Sequence, residues 1–150
     1  LVDRIGRLAE ENFPITLSIS LHAADDETRS SLMPVNKKWN IAELLTACRA
    51  YFDKTGRRIS FEYTLVRGKN DTVASANKLA DVLYKYCSGM PLHVNLIPVN
   101  NVVERGFLPS EKSGIEAFAK TLEKRRIVAT VRRTLGSDID ASCGQLRSKS

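Results

Sequence analysis

The chain has 150 residues, 43% of them hydrophobic, which is the size and composition of one ordinary globular domain with a sizeable core. Disordered and fibrous architectures are therefore disfavoured. The formal net charge of +6 predicts a polyanionic partner, although solvated helix ends and loops would carry the same charges. The basic residues form pairs and triplets at Lys37-Lys38, Arg57-Arg58, Lys124-Arg125-Arg126 and Arg132-Arg133.

The sequence also allows predictions about the cellular compartment and about metal binding. No apolar run approaches the roughly 20 residues of a membrane-spanning helix, and no segment resembles a signal peptide. We therefore expect a soluble, cytoplasmic protein with no membrane partner. Cys48, Cys87 and Cys143 are too widely spaced for a disulfide framework or a Cys-x-x-Cys site, and only His22 and His93 could join them. We predict no metal site in this chain.

Hydrophobic periodicity predicts an alternation of strands and helices over residues 1–150, which we interpret as one domain. The chain begins inside a helix at Leu1 and without a starting methionine, so we expect an incomplete chain. In chain order, the predicted elements are a strand at 15–21, a helix at 41–52 capped by Asn40, a strand at 59–66, a helix after Thr72, a strand at 92–98, a helix opened by Ser113-x-x-Glu116, and a strand at 127–131.

The connections between the predicted strands determine the fold class. Each connection is long enough to contain a helix and too long for a hairpin, so the strands should be parallel. The prediction is an α/β fold whose sheet is either open or part of a barrel. Cys48 and Cys87 fall on apolar helical stripes and are therefore expected to be core residues.

Polar residues occupy alternate positions in three of the strands. They are Ser18, Ser20 and His22 in the first, Ser60, Glu62 and Thr64 in the second, and His93 and Asn95 in the third. A parallel sheet is normally covered on both faces, so a polar face should line a cavity rather than meet bulk water. We therefore predict a binding site at the carboxyl ends of these strands. Glu62 would need a cation or an amino group of a ligand as its partner, whereas Asn95 could serve only to bond a neighbouring strand.

Several stretches carry a resemblance to one known family. They are Ser18-Ile-Ser-Leu-His-Ala23 with Met33-Pro-Val-Asn-Lys-Lys38, Gly68-Lys-Asn-Asp-Thr72, Asn95-Leu-Ile-Pro98 and Gly136-Ser-Asp-Ile-Asp-Ala-Ser-Cys-Gly-Gln-Leu146. In this order they resemble the radical S-adenosylmethionine (SAM) methyltransferases that modify adenine C2 of 23S ribosomal RNA and, in many bacteria, of tRNA. The resemblance implies that the chain is the carboxyl-terminal, parallel-strand second half of a partial (β/α)6 barrel.

The resemblance also implies cofactor contacts. In that family the Ser-Leu-His triplet contacts SAM, which maps to Ser20, Leu21 and His22, and so does an asparagine that maps to Asn100. A histidine bonded within the core is the alternative for His22. The sequence departs from the family pattern beside Asn100, where Val99 replaces a usual aromatic residue and Asn101 replaces a frequent proline.

Cys143 is the catalytic residue that the resemblance implies. In the family this cysteine is methylated by one SAM, and a radical made from a second SAM at a [4Fe-4S] cluster converts the methyl group into the species that attacks adenine C2. The cluster cysteines and the resolving cysteine belong to the amino-terminal half, which this sequence lacks. The cluster is thus expected in the full-length parent only, and the chain alone should be inactive. Two alternatives are a non-catalytic module that binds SAM or RNA, and the sister branch that methylates adenine C8.

Overall fold

The computed structural model describes residues 2–10, 16–32, 39–99 and 107–132. Strands and helices alternate through these ranges. They are α1 (Val2–Glu10), β1 (Leu17–Ser20), α2 (Asp26–Leu32), α3 (Ile41–Thr55), β2 (Ile59–Leu65), α4 (Val73–Cys87), β3 (His93–Pro98), α5 (Lys112–Lys124) and β4 (Val128–Val131).

The four strands form one sheet in the order β1-β2-β3-β4, and every neighbouring pair is parallel. The predicted α/β fold with parallel strands is confirmed. The register places Ser20 beside Glu62, Glu62 beside Asn95, and Asn95 beside Thr130, so these four residues form one row across the sheet. Because all strands run in the same direction, their carboxyl ends lie at one edge.

Local signals explain where most of the helices begin and end. The predicted Asn40 cap is confirmed, since its side chain accepts a hydrogen bond from the Glu43 amide at 2.8 Å. The expectation that Ser113 and Glu116 open α5 is wrong. The helix begins at Lys112 with Glu111 as its cap, and the Ile115 amide donates to the Glu111 carbonyl at 3.0 Å. The first turn is thus already closed where Ser113 would have had to cap it.

Helix α2 has no counterpart among the predicted elements, because its seven residues carry no apolar repeat. A side-chain cap stabilises it instead. Asp25 accepts hydrogen bonds from the Thr28 amide at 2.7 Å and from the Thr28 hydroxyl at 3.1 Å. The helix thereby turns the chain directly after the carboxyl end of β1.

The core lies on one face of the sheet, between the strands and the longer helices. From the strands it contains Ile19, Phe61, Tyr63, Val94 and Leu96, all at most 2% exposed. Cys48 and Cys87 are buried in the same core, as predicted. In the part of the chain that the structure describes, no helix is long and apolar enough to cross a membrane.

Candidate functional site at the carboxyl ends of the strands

The face of the sheet opposite the core is polar, as the alternation predicted. In β2 every second residue is buried, and Ser60, Glu62 and Thr64 point away from the core. Ser18 and Ser20 of β1 are exposed on the same face, and so is Thr130 of β4. The remaining polar residues of this face, His93 and Asn95, are half-buried.

A chain of hydrogen bonds crosses this polar face from β2 to β4 and back to β3. Ser60 Oγ lies 2.9 Å from His93 Nδ1, His93 Nε2 lies 3.0 Å from Thr130 Oγ1, and the Thr130 hydroxyl donates to Asn95 Oδ1 at 3.3 Å. A hydroxyl has one proton to donate, so Thr130 must accept from His93 Nε2. Burial and the nearby Arg58 charge lower the pKa of His93, so the ring is neutral and its Nδ1 accepts from Ser60.

Glu62 lies at the centre of the same face. Its side chain is 26% exposed, and Arg132 Nη2 approaches Glu62 Oε2 to 3.9 Å. Arg132 thus provides the cation that a carboxylate on this face was expected to need. The contact is at the long limit of an ion pair, and Arg132 is itself substantially exposed, so the carboxylate keeps its capacity to accept further hydrogen bonds.

His22 follows β1 in a left-handed backbone conformation, with φ of 58°. Such a conformation is uncommon for a residue other than glycine and is kept only where the surroundings enforce it. Here the His22 amide donates to the Glu62 carbonyl at 3.3 Å, and the His22 carbonyl accepts from Asn70 Nδ2 at 2.8 Å. The bend therefore directs the imidazole toward the carboxyl end of β2.

The imidazole of His22 has one defined tautomer. Its Nδ1 accepts a hydrogen bond from the Thr64 amide at 2.9 Å, so in the neutral ring the proton is on Nε2. Burial, with a smaller contribution from the Arg29 charge, lowers the pKa of His22 to about 4. Within the described residues Nε2 has no hydrogen-bond partner, which leaves this N–H as a donor at the end of β1.

Asn70 is the first structural residue of the site that sequence reasoning missed. It is 1% exposed, and its side chain donates to the His22 and Thr64 carbonyls at 2.8 and 2.7 Å and accepts from the Val66 amide at 2.8 Å. Tyr63 completes the contacts by donating its hydroxyl to the Asn70 carbonyl at 2.7 Å. The Gly68-Lys-Asn-Asp-Thr72 stretch marked this segment, but nothing in it assigned a role to Asn70.

Arg29 is the second missed residue. It is 1% exposed, and its guanidinium donates to the carbonyls of Leu21 at 3.1 Å, Trp39 at 3.2 Å and Ser20 at 3.3 Å. Burial lowers the pKa of Arg29, while Asp26 opposes that effect. The guanidinium satisfies carbonyl groups that would otherwise be unpaired where β1 ends, and it lies on a helix with no sequence signal.

The predicted site residues divide into three groups. Ser20 and His22 present a hydroxyl and an N–H at the carboxyl end of β1. Leu21, between them, is fully buried, and its amide and carbonyl bond Glu62 and Arg29. Asn100 and Cys143 lie outside the described residues.

The described residues do not fit an iron-sulfur cluster. They contain no group of three or more histidine, cysteine or acidic side chains that could hold a metal ion. Cys48 and Cys87 are both buried, and burial raises their pKa values to about 12 and about 11. Such thiols stay protonated, whereas cluster ligands are thiolates.

Comparisons with known proteins give a consistent picture, although no family model matches the chain. The chain is 53% identical over 149 residues to a probable dual-specificity RNA methyltransferase RlmN of Alkaliphilus oremlandii, covering 99% of this chain and 42% of that protein. It is 51% identical over 147 residues to the protein of the same name from Clostridium acetobutylicum, covering 98% and 41% respectively. The chain thus spans about two fifths of the length of these curated relatives.

Solved structures agree with the sequence matches. The crystal structure of a radical SAM methyltransferase from Sphaerobacter thermophilus matches with a TM-score of 0.87 and 47% identity, over 97% of this chain and 41% of that one. A domain of pyruvate-formate lyase-activating enzyme from Bacteroides vulgatus matches with a TM-score of 0.69 and 15% identity, over 87% and 74%, which shows the fold alone. By sequence and by fold, the chain therefore matches one segment of these dual-specificity RNA methyltransferases, about two fifths of their length.

Proposed function

We propose that the chain is the carboxyl-terminal part of a radical SAM methyltransferase that methylates C2 of adenine in RNA, with 23S rRNA and tRNA as its two substrates. The observation that carries the proposal is the 53% identity over 149 residues to a relative named as a dual-specificity RNA methyltransferase. The net charge of +6 is consistent with an RNA substrate. The partner of this segment is then the amino-terminal part of the same cytoplasmic protein, which would hold the [4Fe-4S] cluster.

The chain's contribution to cofactor binding would come from Ser20, Leu21, His22 and Asn100. SAM would supply both the transferred methyl group and, at the cluster, the radical that activates it. The donor set fits this ligand, because the exposed Ser20 hydroxyl and the His22 Nε2–H are both hydrogen-bond donors at the carboxyl end of β1. Leu21 would act by its burial, which fixes the strand end between the two donors.

The low pKa of His22 suits a cationic ligand. SAM carries a positive sulfonium, and a protonated imidazole in the same site would repel it. A pKa of about 4 keeps the His22 ring neutral at physiological pH. The Asn70 hydrogen bonds keep the ring at the end of β1, so His22 needs no rearrangement to donate to a ligand.

Cys143 would be the methyl carrier of the reaction. Its thiolate would take the methyl group of one SAM and release S-adenosylhomocysteine, so the carbon destined for adenine C2 would be tethered to the protein, where proximity replaces a collision in solution. Cys48 and Cys87 are unsuited to the role, because burial disfavours their thiolates.

The test is peptide mass spectrometry of the whole protein after anaerobic exposure to SAM, looking for one added methyl group. We expect the methyl group on Cys143, and we expect Cys143→Ala to abolish adenine C2 methylation. Cys48→Ala is the matched control and should retain the modification. A methyl group on Cys48 or Cys87, or a fully active Cys143→Ala protein, contradicts the proposal.

A further inference from the structure

Glu62 and Asn95 lie in the middle of the row that crosses the polar face from Ser20 to Thr130. The proposed contacts of Ser20 and His22 leave the hydrogen-bonding capacity of these two side chains unused. We propose that Glu62 and Asn95 together bind the amino-bearing edge of an adenine base. Glu62 accepts from the 6-amino group, and Asn95 donates to the neighbouring ring nitrogen. The inference rests on the proposed function, which supplies two adenines, one in SAM and one in the RNA substrate.

The chain of hydrogen bonds from Ser60 through His93 and Thr130 fixes which side-chain atom of Asn95 is left for a ligand. Asn95 Oδ1 accepts from the Thr130 hydroxyl, and Thr130 is in turn oriented by His93. The Nδ2 group has no hydrogen-bond partner within the described residues, so its two N–H donors are available to a ligand on this face. A ligand at this position must therefore carry an acceptor.

Glu62 adds an acceptor beside that donor. It neighbours Asn95 in register on the adjacent strand, and strands lie about 4.8 Å apart. Arg132 Nη2 lies 3.9 Å from Glu62 Oε2, so it partly balances the carboxylate charge but makes no short hydrogen bond to it. Ser20 continues the same row on the other side, so the row adjoins the triplet proposed to contact SAM.

The combination discriminates between ligand classes. An ammonium group offers only donors and would be opposed by the Asn95 N–H groups, whereas a phosphate offers only acceptors and would be repelled by Glu62. An exocyclic amine next to a ring nitrogen matches both side chains, as in the pairing of asparagine with adenine. Two coupled hydrogen bonds to one base edge also reject an analogue in which donor and acceptor are exchanged, because both side chains then face a ligand group that cannot pair with them.

The experiment measures binding by the whole protein with calorimetry, in two arms. The first arm compares S-adenosylhomocysteine with S-inosylhomocysteine. In the latter, oxygen replaces the 6-amino group, and the adjacent ring nitrogen N1 carries a hydrogen and becomes a donor. The second compares an oligoadenylate with an oligonucleotide of purine riboside, which lacks the 6-amino group. Glu62→Gln and Asn95→Asp are nearly isosteric variants, and Ser18→Ala on the same face is the matched control.

We expect the wild-type protein to prefer the adenine ligand by about tenfold or more in one arm, as loss of a hydrogen bond to a charged group predicts. Both variants should remove that preference, while Ser18→Ala should keep it. A lost preference in the first arm identifies the adenine of the cofactor, and a lost preference in the second identifies the adenine of RNA.

Two results overturn the inference. One is the absence of an adenine preference from the wild-type protein in both arms, which can be measured even if a variant does not fold. The other is a preference that persists in Glu62→Gln and Asn95→Asp. If S-adenosylhomocysteine still binds in either case, the proposed function stands while this inference falls. A wild-type protein that binds no S-adenosylhomocysteine contradicts the proposed function, and the RNA arm alone then decides the role of Glu62 and Asn95.

Discussion

At the scale of single residues, His22 joins a strained backbone to a half-buried neutral ring. A left-handed conformation costs such a residue about 1 to 3 kcal/mol, so the surrounding contacts must exceed that cost. They are supplied by Thr64, which donates to the ring, and by Asn70, which donates to the backbone carbonyl. The strain places one N–H donor at the end of the strand, where the proposed cofactor would bind.

The pKa of His22 predicts a dependence of stability on pH. The pKa is about 4 in the folded protein and 6.5 in the unfolded chain. As the pH falls below 6.5 the unfolded chain takes up a proton that the folded protein does not, so the free energy of unfolding should decrease, by at most about 3 kcal/mol at pH 4. His22→Asn, which tolerates the left-handed backbone, should lose this part of the slope in urea unfolding between pH 4 and pH 7.

The matched control for the pH series is His93→Asn. His93 is held by hydroxyl groups on the more accessible face, and its variant should keep the His22 contribution to the slope. Parallel curves for the wild-type protein and His22→Asn across this range would show that His22 titrates alike in the folded and unfolded states.

A second prediction at the residue scale compares the replacement of two asparagines, Asn70 and Asn40, by alanine. Asn70→Ala removes three side-chain hydrogen bonds from a buried position, and each unpaired buried group costs about 1 to 3 kcal/mol. We expect Asn70→Ala to lower the free energy of unfolding by about 3 kcal/mol or more. Asn40→Ala, which removes a helix cap, should lower it by about 1 kcal/mol. Equal losses for the two variants in chemical denaturation would contradict the role assigned to Asn70.

At the scale of elements, β1 is an edge strand in the described part of the chain, where it pairs with β2 alone. The Leu21 amide faces β2, since it donates to the Glu62 carbonyl at 2.9 Å. Backbone N–H groups alternate in direction along a strand, so those of Ser18 and Ser20 face away from β2. An open edge of this kind is a template for pairing with another chain.

We therefore expect the 150-residue chain by itself to dimerise or aggregate through β1. Ser18→Pro removes an outward N–H without removing a bond to β2, so it should shift the chain toward the monomer in analytical ultracentrifugation. A wild-type chain that sediments as a monomer at all concentrations, with slowly exchanging amides from Thr16 to Ser20, would show that this edge is already paired or covered.

At the scale of the whole molecule, the 150-residue chain by itself should not assemble a [4Fe-4S] cluster. Such a cluster needs several thiolates in close array, whereas Cys48 and Cys87 are buried between helices with raised pKa values. Anaerobic reconstitution with iron and sulfide should give no stoichiometric cluster absorbance. Absorbance that disappears in Cys48→Ala or Cys87→Ala would refute this prediction.

Much of the architecture follows from the amino-acid sequence by itself. The alternation of polar and apolar residues in the strands has a period of two, so it identified both faces of β2 and β3 and placed Glu62 and Asn95 on the polar one. The apolar stripes of α3 and α4 likewise placed Cys48 and Cys87 in the core. Asn40 and Thr72 cap their helices through local contacts between residues three apart, which a sequence window contains.

Only the tertiary structure revealed how the carboxyl ends of the strands are held together. Arg29 bonds the Leu21 carbonyl eight residues away, and Asn70 bonds the His22 carbonyl 48 residues away. No local pattern encodes such partners. The His22 tautomer depends on the Thr64 amide, which is 42 residues away in sequence. Periodicity and capping are properties of neighbouring residues, whereas the pairing of buried polar groups is decided by whichever segments the fold brings together.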